Sequence, residues 1–157
     1  LGQEVVAPYV RPGPDGEPLF RLPGAVSQPL PYLGYAPGAY LGQMVELILK
    51  QSNTAIHFDR VYETDMAEGL KAMALEGHGV AFLPYSAVQK DLAASKLVAA
   101  APAGLSGLQI TMDVRAYRER PSLKDSSKLA ALGARAGGAG PKRNAQALWD
   151  YLLVQAT

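Results

Sequence analysis

The chain contains no cysteine, so disulfides, thiolate nucleophiles and cysteine-based metal sites are all excluded. Absence of cysteine fits a reducing cytoplasm and equally fits many exported bacterial proteins. A marked excess of charge of either sign is also missing. A net charge of +1 over 157 residues gives no field that would by itself hold nucleic acid, a membrane surface or an acidic substrate. No apolar run approaches the roughly 20 residues needed to span a bilayer. The histidines are only His57 and His78, and without a clustered acid they argue against a metal site.

What remains is a composition that fits a soluble globular protein, 48% apolar and 18% charged. A length of 157 residues suffices for one domain with a real core. The first ten residues, LGQEVVAPYV, carry no methionine, no charged n-region and no signal-peptide core. They read as an element entered midway, and the chain is expected to be part of something longer.

Periodicity orders the elements. Glu4 to Val10 reads as a strand, and Val10 to Gly24 is turn-rich with no helical period. Leu30 to Tyr35 is a second strand. A helix follows from about Ala39 to Gln51, with Leu41, Met44, Val45 and Ile48 forming one buried stripe. Ala55 to Tyr62 alternates like a strand, with Ile56, Phe58 and Val61 inward.

Thr64 and Asp65 both suit a helix N-cap, and Asp65 with Glu68 has capping-box spacing. The helix they begin runs to Glu76, placing Met66, Leu70, Met73 and Ala74 on one face. Gly77 stands where a left-handed C-cap is wanted. Val80 to Leu83 is wholly apolar, as in strands buried on both faces of a parallel sheet.

Pro84 to Ser95 reads as a helix with Val88 and Leu92 inward. Leu97 to Ala99 and Leu108 to Tyr117 read as strands. Residues 122–143 are rich in Gly, Ala and Ser and read as an insert or tether. A last helix, Asn144 to Gln155, carries Ala145, Leu148, Trp149, Leu152 and Leu153 on one face. Alternating strands and helices argue for a parallel α/β sheet, in which ligands bind at the carboxyl ends of the strands.

Among residues that could carry chemistry, the stretch EGHGVAFLPYSAV (Glu76 to Val88) stands out. Its G-x-G lacks the third glycine of a dinucleotide fingerprint. It also runs from helix into strand, whereas a phosphate loop needs strand then helix. His78 has no serine or cysteine beside it to form a triad, and its ordinary role is that of a turn residue near a cleft. The basic residues Lys124, Lys128, Arg135, Lys142 and Arg143 have no interleaved aromatics, which favours a solvated tether over a nucleic-acid arm.

Better candidates are the two strand-to-helix joins. At YAPGAYLGQ (Tyr35 to Gln43), the free backbone N–H groups near Ala39 to Leu41 suit an anion. At YETDMAEG (Tyr62 to Gly69), the Thr64 hydroxyl could hold a ligand. Ordinary capping explains either join alone; two on one sheet edge suggest a binding cleft.

A strand and turn leading to an apolar helix, then TDMAEGLKAMALEGHGVAFLPYSAV, then DLAASKLV, resembles the effector-binding domain of LysR-type transcriptional regulators. The match covers about Leu1 to Tyr117 and the last helix. The spacing of Tyr35, Tyr40 and Gly42 looks most like the hypochlorite-responsive branch. The resemblance implies a periplasmic-binding-protein-like (type 2) fold of two α/β subdomains with an effector cleft between them.

Residues 1–121 would then form the second subdomain with its crossover strands, and 144–157 a helix belonging to a first subdomain that is largely absent. The cleft would carry over to Ala36, Gly38, Ala39 and Tyr40, then to Glu63, Thr64 and Asp65, with His78 at its margin. Family members often place a serine or threonine at the first join; none stands here, which leaves backbone amides and Tyr40.

The resemblance further implies no catalysis, no cofactor, a small-molecule effector, a cytoplasmic location and a homodimer or homotetramer. DNA would be bound only through an N-terminal winged helix-turn-helix absent from this chain. Two other functions fit the same residues: a lobe of a periplasmic solute-binding protein, which an upstream signal peptide would mark, and a small enzyme using His78 or His57 as base, which loss of turnover on His78→Ala would mark.

Overall fold

A computed structural model describes residues 1–105, 107–117 and 141–155, apart from the side chains of 141–144 and 155. The chain forms two compact units, Glu4–Met112 and Leu1–Gln3 with Asp113–Thr157. In chain order the elements are β1 (Gly2–Val10), β2 (Leu30–Tyr35), α1 (Tyr40–Gln51), β3 (Phe58–Thr64), α2 (Ala67–Leu75), β4 (Val80–Pro84), α3 (Tyr85–Ala93), β5 (Val98–Ala99), β6 (Ile110–Val114) and α4 (Pro141–Gln155). No helix among the described residues is long and apolar enough to cross a membrane.

The sheet runs β3-β2-β4-β1-β5, with β6 also pairing to β1. Its β3-β2-β4 side is parallel, β2 pairing with both neighbours, while β1 is antiparallel to β4 and to β5. The expectation of a parallel sheet therefore holds for the β-α-β units alone. β1 has no helix leading into it, so nothing obliges it to run with the others.

The core is the apolar interior of the sheet and its helices. Val6, Val10, Leu33, Leu70, Val80, Phe82, Leu83 and Val88 are fully enclosed. α1 meets it with Val45 and Ile48, and Leu41 packs at its margin. Tyr32 stacks on Phe58 at 4.6 Å, and the Phe82 ring stands edge-on to both at 6.4 Å.

Two expected details fail for identifiable reasons. Val61 is 52% exposed rather than inward. The β2–β3 register slips between Tyr32 (opposite Arg60) and Leu33 (opposite Tyr62), leaving Val61 as the extra residue of a bulge. The capping box at Asp65 and Glu68 does not form either, because α2 starts one residue later, with Met66 as N-cap and no side-chain cap. Met66 is consequently exposed, not on the core face. The tether expected at 122–143 lies outside the described residues, apart from the backbone at its end, where α4 begins at Pro141.

α2 and α3 end alike. Gly77 N–H donates to Ala74 O and His78 N–H to Met73 O; Ser95 N–H donates to Leu92 O and Lys96 N–H to Asp91 O. Both are Schellman caps. Gly77 meets the left-handed requirement at φ +84°, whereas Ser95 holds φ +54° with a side chain. Relief of roughly 1–2 kcal/mol of left-handed strain, less about 0.5–1 kcal/mol of extra unfolded-state freedom, makes Ser95→Gly mildly stabilising. Its urea midpoint should rise, and Gly77→Ala should lower it.

Candidate functional site

Strand order decides where a ligand can enter. From β2 the chain crosses by α1 to β3 on one side, and from β3 it crosses by α2 to β4 on the other side of β2. Right-handed crossovers in opposite directions put α1 and α2 on opposite faces. The loops leaving β2 and β3 therefore part at the carboxyl edge, and it is at such partings that ligands usually bind in sheets of this kind.

Those loops are the two joins. The Ala36 N–H donates to Thr64 O at 2.9 Å, tying the first join to the second. Arg60 Nη1 donates to Tyr35 O at 3.3 Å and pairs with the Glu63 carboxylate at 2.7 Å, while its guanidinium lies 5.6 Å from the centre of the Tyr32 ring. Ala36 and Ala39 are half-buried, and Gly38, Tyr40, Glu63 and Asp65 are exposed. Gly38 adopts φ +86° with open space around it.

Neither helix N-terminus here has a side-chain cap. Thr64 Oγ1 accepts only a long bond, 3.4 Å, from Met66 N–H. The Tyr40 hydroxyl reaches Met112 Sδ at 3.9 Å. With Arg60 already paired, this edge offers backbone amides, two hydroxyls, a thioether and two carboxylates.

The structure brings together Ala36, Gly38, Ala39, Tyr40, Glu63, Thr64 and Asp65. It separates His78 from them. His78 precedes β4 and so sits at the amino edge of the parallel strands, opposite the joins. His57 is at that amino edge too, before β3, where its backbone accepts from Leu30 and donates to Pro23.

A third join escaped the sequence. Where β4 turns into α3, the Glu4 carboxylate accepts from Ser86 N–H at 3.2 Å, from Val5 N–H at 3.0 Å, and from the Ser86 hydroxyl. The amino end of α3 thus already holds an anion supplied by the chain. Glu4 is 82 residues from Ser86, and only the antiparallel register pairing Val6 with Pro84 brings them together. No local pattern announces that meeting.

Partial burial would raise the Glu4 pKa, but the bonds from Ser86, Val5 and Tyr85 outweigh it and hold the carboxyl below its ordinary 4.5. A lowered folded-state pKa means that this contribution to stability is present above about pH 4.5 and is lost as pH falls through the lower value. Glu4→Gln should lower the urea midpoint at pH 7, and the gap from the parent should close as pH drops below 4.5.

The chain resembles known proteins in sequence and in fold. Residues 16–131 match the family model for the LysR substrate binding domain. The chain is 32% identical over 106 residues to the HTH-type transcriptional regulator YjiE of Escherichia coli strain K12, covering 67% of this chain and 32% of that protein. It is 30% identical over 105 residues to the HTH domain-truncated transcriptional regulator QseD of Escherichia coli O157:H7, covering 67% and 40%.

Full-length HypT from Salmonella typhimurium, described as a hypochlorite-specific LysR-type transcriptional regulator, superposes with a TM-score of 0.63 at 24% identity, over 87% of this chain and 46% of that one. At that identity the likeness is one of fold. The chain spans about a third to two-fifths of the length of the curated relatives it matches.

Proposed function

The chain belongs to the LysR substrate-binding domain family, and from that premise we propose that it senses a small-molecule effector for a DNA-binding transcriptional regulator. The effector site is the crevice between the joins Ala36–Tyr40 and Glu63–Asp65. The observation that carries this reading is the reversal of strand order around β2, which parts those two loops while the Ala36–Thr64 bond keeps their bases together. His78, at the other edge, takes no part.

In this reading residues 1–121 form one subdomain of a two-lobed periplasmic-binding-protein-like domain, and 144–157 form a helix of the other lobe. The longer cytoplasmic parent reads DNA through a winged helix-turn-helix and assembles as a homodimer or homotetramer. Effector binding then shifts a pre-existing equilibrium between lobe or subunit arrangements and repositions the DNA-reading helices, with no bond made or broken.

The test is a thermal-shift screen of acidic, neutral and basic metabolite-sized compounds, since binding to the native state raises apparent stability. A compound that raises Tm should shift the amide resonances of Ala39–Leu41 and Glu63–Asp65, and should change the parent's affinity for its promoter. A compound that binds elsewhere in the domain, or leaves promoter affinity unchanged, sinks the proposal.

A further inference from the structure

At the amino edge of the parallel strands, away from the two joins, lies a cavity of about 570 Å³ lined by Arg11, Leu75, Glu76, Asp91, Ser95 and Lys96 among others. Three pieces of chain build it. The segment after β1 brings Arg11, the Schellman cap of α2 brings Leu75 and Glu76, and the last turn and cap of α3 bring Asp91, Ser95 and Lys96.

The guanidinium is positioned by its surroundings. Arg11 Nη1 donates to the Glu76 carbonyl at 3.5 Å. A Cβ on Gly77 would stand 3.4 Å from both Arg11 Cδ and Leu19 Cδ2, so the Arg11 stem lies against the glycine of the cap.

Cations at this edge have an ordinary role, because the carboxyl ends of α2 and α3 carry partial negative charge that Arg11 and Lys96 offset. The two carboxylates have no such role, since they face the same helix ends and add to the unfavourable field. Nor do they pair with the cations: the ion pairs among the described residues are Arg21–Glu17, Arg60–Glu63, Lys71–Glu68 and Arg115–Asp113. Opposite charges line one cavity and stand apart.

A ligand bearing one charge would be attracted by half of such a lining and repelled by the rest. A ligand bearing both charges satisfies both halves. We propose that this cavity is a second binding site, for a small zwitterion of the free amino acid type, whose carboxylate meets Arg11 and Lys96 and whose ammonium meets Glu76 and Asp91. The five-donor fork of Arg11 suits a carboxylate bidentately, and the cavity's volume accommodates an amino acid with its side chain. The site is separate from the crevice between the joins and does not depend on that crevice binding anything.

The test is an amide-resonance titration of this chain with L-glutamine, whose uncharged side chain leaves only the zwitterion to be read. Two arms remove one charge each: N-acetyl-L-glutamine lacks the ammonium, and L-glutaminamide lacks the carboxylate. L-Glutamine should shift the amides of Arg11, Glu76, Gly77, Ser95 and Lys96 saturably. Either single-charge analogue should bind about tenfold more weakly, as expected when one charged hydrogen-bonding partner is lost.

Arg11→Gln and Asp91→Asn should each weaken L-glutamine by a similar factor with the urea midpoint little changed. If one of them fails to fold, Lys96→Gln, at an exposed position, carries the same comparison. Equal shifts from all three compounds, shifts confined to Ala36–Tyr40 and Glu63–Asp65, or no saturation by about 10 mM would each overturn the proposal.

Discussion

Replacing Phe82 with alanine is expected to cost about 3–5 kcal/mol of folding stability, a large part of the roughly 5–15 kcal/mol that a domain possesses. Phe82 is fully enclosed on the central strand β4. Its ring stands edge-on to Tyr32 and Phe58, each at 6.4 Å. Truncation removes the transfer free energy of the ring, two aromatic contacts worth roughly 0.5–1.5 kcal/mol each, and leaves a void walled by sheet that cannot collapse. Phe82→Leu fills most of that void and should cost about half as much. Val61→Ala, at the 52% exposed bulge position, should stay within about 0.5 kcal/mol. Urea midpoints for the three variants check the ordering; a Phe82→Ala cost no larger than that of Val61→Ala would mean that the three-ring cluster does not hold the sheet.

The same three rings show what could be read from sequence. An unbroken apolar run bounded by glycine and proline admits few structures, so β4 was legible to within one residue, as was β2. The stripe of α1 was legible because Val45 and Ile48 recur with the helical period. What escaped were features set by pairing between distant segments. The bulge at Val61 has no local signature: the residue stands three from Phe58, an odd spacing that strict alternation puts on the other face, and only the pairing with β2 shows it to be the extra residue. The direction of β1 has no local signature, and with it went the third join, because Glu4 reaches Ser86 only through antiparallel register.

The candidate site divides along the same line. Both joins were visible as turn residues between a strand and an apolar helix, and the structure sets them side by side through Ala36 and Thr64. His78, expected at their margin, stands between two glycines. Those glycines have structural work: Gly77 closes α2 at positive φ, and Gly79 permits a close approach. Strand direction then puts His78 at the amino edge, because a residue before β4 and a residue after β2 cannot share an edge of parallel strands.

Gly79 gives the second large effect, and it separates two reasons for glycine in one short motif. Gly79 is not left-handed; its constraint is space. A Cβ there would stand 2.6 Å from the Pro31 carbonyl oxygen and 3.0 Å from its carbon, with Leu33 Cγ at 3.2 Å. Two of those atoms are backbone of β2, the strand on which β4 pairs through Tyr32–Val80 and Leu33–Ala81. Relief requires β4 to move off β2, so Gly79→Ala should cost at or above the upper end of the roughly 1–3 kcal/mol typical of overpacking. At Gly77 the nearest atoms to a Cβ are the side chains of Arg11 and Leu19 at 3.4 Å, and only φ is constrained. Asparagine tolerates left-handed backbone better than alanine does. Gly77→Asn should therefore recover part of the stability lost in Gly77→Ala, whereas Gly79→Asn should be no better than Gly79→Ala. Four urea midpoints decide it: equal rescue by asparagine at both positions would refute a steric role for Gly79, and rescue at neither would refute the conformational role of Gly77.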